Sequence, residues 1–252
     1  MLKKWWILLL VSVLFGAVGV AETGASAGQT DAVVLEVDAD TPVVAIGEAR
    51  KVVVRALVRP YRKEEKVRAP LAVALVLDKS GSMASDGKME NAKLGALEAL
   101  RMLDSRDVAT IVIYDDNASV LVRARSVGRG AEDPAFLRPV SRVRAGGMTA
   151  LHDGVVLGAE QLAPFVNEGF IPRIVLLSDG IANVGPSSTE ELARLGRGLA
   201  RREMTITTIG LGLDYHEDLM TALAAESGGN AYFARTARML PEIFSRDMED
   251  AV

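Results

Sequence analysis

Five oxygen-bearing side chains in three short segments offer the most distinctive chemistry in this chain. Asp78, Ser80 and Ser82 alternate in Asp78-Lys-Ser-Gly-Ser82, directly after a run of seven apolar residues. Thr149 follows the pair Gly146-Gly147, and Asp179 precedes Gly180 at the end of a second apolar run. Every donor is oxygen, which suits a hard divalent cation better than a soft one. Two carboxylates gathered at one point repel each other and lose hydration, and a divalent ion relieves both costs. Neutral hydroxyls among the ligands leave such an ion electron-poor and still attracted to an acidic group from outside. Mg²⁺ favours near-octahedral oxygen ligation and commonly keeps waters, which fits this donor set; the chemistry of the donors also permits Mn²⁺ or Ca²⁺.

The elements around these residues follow a regular alternation. Residues 71–77 read as a strand buried on both faces, the signature of a parallel sheet covered by helices. Residues 86–103 carry apolar positions at Met89, Ala92, Ala96, Leu100 and Leu103, which is helical spacing. Further strands are expected at 107–114, 118–123, 171–177, 204–211 and 231–234, the second of them polar and antiparallel at an edge. Helices are expected at 133–143 with Pro134 early, at 151–166, after the capping-box spacing of Ser187 and Ser188 with Glu190 and Glu191, at 216–226 before Gly228-Gly229, and from Pro241 onward. This rhythm gives an α/β domain with a doubly wound, mainly parallel sheet. In such sheets ligands sit beyond the carboxyl ends of the strands, where Asp78 and Asp179 both fall if their strands are neighbours.

The rest of the chain bounds the function. Its 252 residues carry a formal net charge of −4 and no long basic stretch, which excludes a nucleic-acid-binding balance. Residues 1–21 begin with Lys3 and Lys4, continue through an apolar core and end in small residues, as a secretory signal peptide does. Gly19 and Ala21 fit a cleavage site, Ala25 and Ala27 offer a second, and an uncleaved membrane anchor is the rival reading. Cleavage after residue 21 removes two lysines and no acid, leaving 27 basic against 33 acidic residues, a charge of −6. There is no cysteine, so disulfides, thiolate metal sites and cysteine catalysis are excluded. A secreted chain without disulfides points to a bacterial periplasm or cell envelope. Residues 22–30 read as a linker. Residues 31–70 hold two or three β-rich runs (33–37, 43–46 and 51–58) and a charged, solvated connector from 59 to 70, forming either a small appendage or an edge on the main sheet. The main domain runs from 71 to 252.

Taken together, Asp78-Lys-Ser80-Gly-Ser82, Thr149 in Gly-Gly-Met-Thr-Ala and Asp179 in Leu-Leu-Ser-Asp-Gly resemble the metal-ion-dependent adhesion site of von Willebrand factor type A (VWA) domains. A lone Asp-x-Ser-x-Ser is a weak signal; three segments in order, each after the right element, are a strong one. The resemblance covers residues 71–248. It implies a Rossmann-like six-stranded sheet of order 3-2-1-4-5-6, with Ser80, Ser82 and Thr149 contacting a metal, and Asp78 and Asp179 acting directly or through water. It also implies a partner protein that completes the shell with an Asp or Glu carboxylate. The likeness is to bacterial secreted or membrane-attached members, similar to calcium-activated chloride channel regulators and inter-alpha-trypsin inhibitor heavy chains. Gly228-Gly-Asn-Ala-Tyr-Phe-Ala and Leu240-Pro-Glu-Ile-Phe add to it.

The leading expectation is therefore an extracytoplasmic, non-enzymatic binding module. A metal-dependent hydrolase or phosphotransferase with Asp78 as nucleophile is one alternative, weakened by the missing second acid and by the absence of a phosphate loop. An envelope scaffold with a structural metal site is the other. Outside the five residues, Asp115 and Asp116 read as a solvated turn, His152 and His216 as surface or loop residues, and Tyr114 and Tyr232 as strand core. Met83 and Met148 read as either packing or an apolar rim.

Overall fold

In a computed structural model the described residues are 33–39, 53–60, 68–180, 182–212 and 215–249. The expected signal peptide, linker and 43–46 strand lie outside them. Strands β1 (Val33–Ala39) and β2 (Val54–Pro60) pair antiparallel in a two-stranded sheet of their own, so this segment is not an edge of the main sheet.

The second unit holds a six-stranded sheet. Its strands are β3 (Leu71–Asp78), β4 (Val108–Tyr114), β5 (Ala118–Ser126), β6 (Ile171–Ser178), β7 (Thr205–Leu211) and β8 (Ala231–Ala234), in the order β5-β4-β3-β6-β7-β8. Counted within this sheet the order is 3-2-1-4-5-6, as the resemblance implies. Only β5 is antiparallel to its neighbour.

Strand β3 is buried along its whole length. Because alternate side chains point to opposite faces, it feeds two cores. Leu71, Val73, Leu75 and Leu77 pack on one face with α1 (Lys88–Met102), α2 (Pro134–Arg142) and α6 (Leu240–Glu249) through Leu100, Phe136 and Phe244. Ala72, Ala74 and Val76 pack on the other with α3 (Leu151–Val166), α4 (Thr189–Ala200) and α5 (Glu217–Ser227). The small residues on that second face let α3 approach closely. A Cβ at Gly158 would sit 2.8 Å from Val76, and one at Gly154 would sit 2.5 Å from the Tyr114 ring. The start of α3, just after Thr149, is thereby held against the carboxyl ends of β3 and β4.

Helix ends follow local chemistry. Asp133 caps α2 by accepting from the Ala135 amide, with Pro134 in its first turn. Ser188 and Glu191 form the capping box of α4. Gly228 ends α5 in the left-handed conformation.

One expectation fails at the connector before β3. Arg68 is not a solvated charge: it forms two bonds to the fully buried Asp107, at 2.8 and 2.5 Å. Asp107 also accepts from the amides of Leu71 and Asp104, fastening the start of β3 to the turn before β4. Among the described residues no helix is long and apolar enough to cross a membrane.

Candidate metal centre

Asp78 is the last residue of β3 and lies level with Tyr114, the last of β4. It is fully buried, and both its oxygens are engaged. Oδ1 accepts from the Ser80 amide at 2.8 Å, which bends the chain sharply out of the strand. Oδ2 accepts from the Ser178 hydroxyl at 2.6 Å and the Tyr114 hydroxyl at 3.2 Å. Burial pushes the Asp78 carboxyl above its usual range, against the pull of the Ser178 and Ser80 hydrogen bonds, and nearby Asp179 adds a smaller upward push. Burial, then the charge of Asp78, drives the Tyr114 phenol well above its ordinary value, so it stays a hydrogen-bond donor.

After Ser80 the chain enters a short 3-10 turn, Gly81–Ala84, anchored in the core by the fully buried Met83. Met83 is thus packing, whereas Met148 is about half exposed. The Ser80 and Ser82 hydroxyl oxygens come within 3.1 Å of each other. Strand β6, hydrogen-bonded beside β3, ends at Ser178 and delivers Asp179 to the same end of the sheet. Asp179 is fully buried. Its Oδ2 accepts from the Lys88 ammonium at 3.1 Å, while its Oδ1 has no donor among the described residues.

Thr149 joins this group through the main chain. The Gly81 amide donates to the Gly147 carbonyl at 2.9 Å and the Gly146 amide to the Lys79 carbonyl at 2.7 Å, lacing the two loops together. The Thr149 amide donates to Asn183 Oδ1 at 2.8 Å, and its carbonyl accepts from the Asn183 and Val184 amides, tying it to the loop after Asp179. Gly147 has φ +84°, and a Cβ there would sit 2.7 Å from Asp116 Oδ2, so this loop needs glycine.

All three sequence segments therefore meet at the carboxyl ends of β3 and β6, where the strand order reverses and the chain leaves toward opposite faces. Four neighbours to which the sequence reading gives no part in the site adjoin it: Lys88, Tyr114, Ser178 and Asn183. Ser178 was legible only as a neighbour of Asp179, and the other three lie on separate segments whose convergence is tertiary. The Asp115-Asp116 turn is more than solvated surface. Asp115 pairs with Lys79, its carbonyl accepts from Ala150, and Asp116 accepts from the Met148 amide, so the turn braces both site loops. His152 lies in α3 beside Asp153. His216 meets the site through its backbone, its amide donating to the Asp179 carbonyl at 3.1 Å.

The von Willebrand factor type A domain model matches residues 72–246. The chain belongs to that family. A VWA chain of this kind resembles an uncharacterised protein of Synechocystis sp., with 32% identity over 164 residues that cover 65% of this chain and 37% of that protein. It also resembles inter-alpha-trypsin inhibitor heavy chain H3 of Rattus norvegicus, 28% identical over 171 residues, covering 64% of this chain and 19% of the other. The chain thus spans well under half the length of these relatives. Among solved structures, proximal thread matrix protein 1 from the mussel byssus, with a zinc-occupied metal-ion-dependent adhesion site, shares the fold at a TM-score of 0.55 and 18% identity. That match covers 73% of this chain and 46% of that one.

Proposed function

We propose that this VWA domain is an extracytoplasmic, non-enzymatic protein-binding module that captures a partner's Asp or Glu carboxylate through a divalent cation. Ser80, Ser82 and Thr149 hold the cation directly, and Asp78 and Asp179 hold it directly or through water. One observation carries the reading: two fully buried carboxylates stand at adjacent strand ends, one of them with an oxygen that no donor among the described residues satisfies. A buried, unpartnered carboxylate oxygen is costly, and a hard cation beside it removes the cost. The Ser80–Ser82 hydroxyl pair supplies neutral oxygen of the kind a magnesium-sized ion accepts. Mg²⁺ is the proposed ion; Mn²⁺ or Ca²⁺ also suit the donors, and the zinc-occupied neighbour supports a divalent site in this fold. When bound, the ion supplies a Lewis-acidic position for an oxygen from outside.

The chain's own residues do the rest. Tyr114 and Ser178 hold Asp78 in place and keep its charge from swinging outward. Asn183 fixes the backbone that presents Thr149. The hydrogen bonds on both Asp78 oxygens also speak against the nucleophile of a hydrolase or phosphotransferase, since an attacking carboxylate must reach its substrate. Residues 1–21, read as a signal peptide, support export to the periplasm or cell envelope.

Calorimetric titration of the protein with Mg²⁺, Mn²⁺ and Ca²⁺ tests the site. Wild type should bind one ion saturably, and Asp179→Ala and Thr149→Ala should each weaken binding by about 10-fold or more, the scale seen when groups that organise a metal are lost. Identical isotherms for wild type and variants would sink the assignment.

A further inference from the structure

Lys88 occupies an unusual place. It is the first residue of α1, where the helix dipole disfavours a cation, and it is buried. Its ammonium reaches across to Asp179 Oδ2 at 3.1 Å, with both side chains almost wholly out of solvent. Room for it is built by another strand end. Gly212, just after β7, has φ +86°, and a Cβ there would sit 2.5 Å from Lys88 Cε. Among the described residues, this buried lysine at a helix N-terminus, threaded past a left-handed glycine, is compensated by the Asp179 carboxylate.

We propose that Lys88 is a resident counter-cation that limits how far the protein neutralises a bound metal, and so makes metal retention depend on an acidic partner. The inference rests on the metal-binding reading above. Asp78 and Asp179 contribute two negative charges to the buried site and Lys88 returns one positive charge. With Lys88 in place, a divalent ion leaves the centre with a net positive charge, and a partner carboxylate brings it to neutrality. Without Lys88, the two aspartates neutralise the ion by themselves. Lys88 thus lowers affinity for the free ion and raises the coupling between ion and partner. Asp179 Oδ1 remains open to the ion while Oδ2 is committed to the ammonium.

The test is Mn²⁺ binding to the full chain, followed by electron paramagnetic resonance, for wild type, Lys88→Met, Lys88→Gln and Lys88→Arg. Acetate serves as the carboxylate probe against chloride at equal ionic strength. Removing the charge should tighten Mn²⁺ binding about tenfold or more in both neutral variants, while Lys88→Arg stays near wild type. Acetate should strengthen Mn²⁺ binding in wild type and Lys88→Arg, and much less in the neutral variants. Tighter binding is a gain that structural damage would not produce, and the two neutral variants guard against one of them failing to fold. If wild type binds Mn²⁺ and the folded neutral variants bind it equally or more weakly, the role of Lys88 is overturned while the metal site stands. If neither wild type nor variants bind Mn²⁺, the metal reading fails, and this inference with it.

Discussion

Tyr114 shows how a core residue comes to serve a site. Its ring fills the space under Gly154, and its hydroxyl donates to the buried Asp78 carboxylate alongside the Ser178 hydroxyl and the Ser80 amide. Tyr114→Phe keeps the ring and removes only that donor. A hydrogen bond to a buried charge is lost, so stability should fall by about 2 kcal/mol, seen as a lower urea midpoint with an unchanged slope. A change under about 0.5 kcal/mol would mean that Ser178 and the Ser80 amide satisfy Asp78 without help. At this scale the sequence made the five oxygen donors legible, because Asp-x-Ser-x-Ser, Gly-Gly-x-Thr and Ser-Asp-Gly are local patterns tied to local turns. Tyr114, Lys88 and Asn183 were not legible. Each is ordinary where it stands in the chain, as a strand aromatic, a helix-start lysine and a loop amide, and each acquires its role from a contact with a distant segment.

The elements were read more completely than the residues, since each carries its own periodicity and stop signals. Helix α4 is the clearest case. Ser188 accepts from the Glu191 amide, while Glu191 Oε2 accepts from the Ser188 amide and hydroxyl and from the Ser187 amide. Those bonds, the Ser188 hydroxyl first, hold the Glu191 carboxyl below its usual range. A carboxylate whose folded value is depressed stabilises the protein above its unfolded value, and that stability is lost as pH falls through the depressed value. Ser188→Ala should destabilise the protein near neutral pH, since it removes the N-cap acceptor together with a donor to Glu191. The gap to wild type should narrow as pH drops below the ordinary glutamate range, because the wild-type cap then weakens too. Thermal unfolding of both proteins from pH 7 to pH 3 measures this. A gap that stays constant, or widens in acid, would show that the cap acts through Ser188 alone. What element-level reading missed is the bracing between elements. Gly154 and Gly158 look like interruptions of α3, yet they let it press onto β3 and β4 and so set the depth of Thr149.

At the scale of the molecule, the strand order is the one the family resemblance implies, and by setting β6 beside β3 it puts both aspartates at one end of the sheet. The foundation at the other end was not legible in the sequence. The sequence marks Asp107 as the start of a strand and Arg68 as part of a solvated connector. Together they clamp the start of β3 to the turn before β4, with Asp107 fully buried and Arg68 only about a quarter exposed. The pair is part of the large compact unit that begins at residue 67, whose sheet shares no strand with the β1–β2 pair. A fragment of residues 67–252 should therefore fold cooperatively and keep the metal affinity of the full chain. The same fragment carrying Arg68→Ala should lose about 3 kcal/mol, the lower part of the range for breaking a buried pair, because Arg68 still meets solvent. The two amide donors left on Asp107 cannot replace a bidentate guanidinium. Metal affinity should change little in that variant, since strand β3 and its core lie between the clamp and the metal centre. Chemical denaturation and calorimetry on the two fragments separate these effects. Equal stability would show the clamp to be dispensable, and a lost metal site with intact stability would show that it acts at the far end of the strand instead.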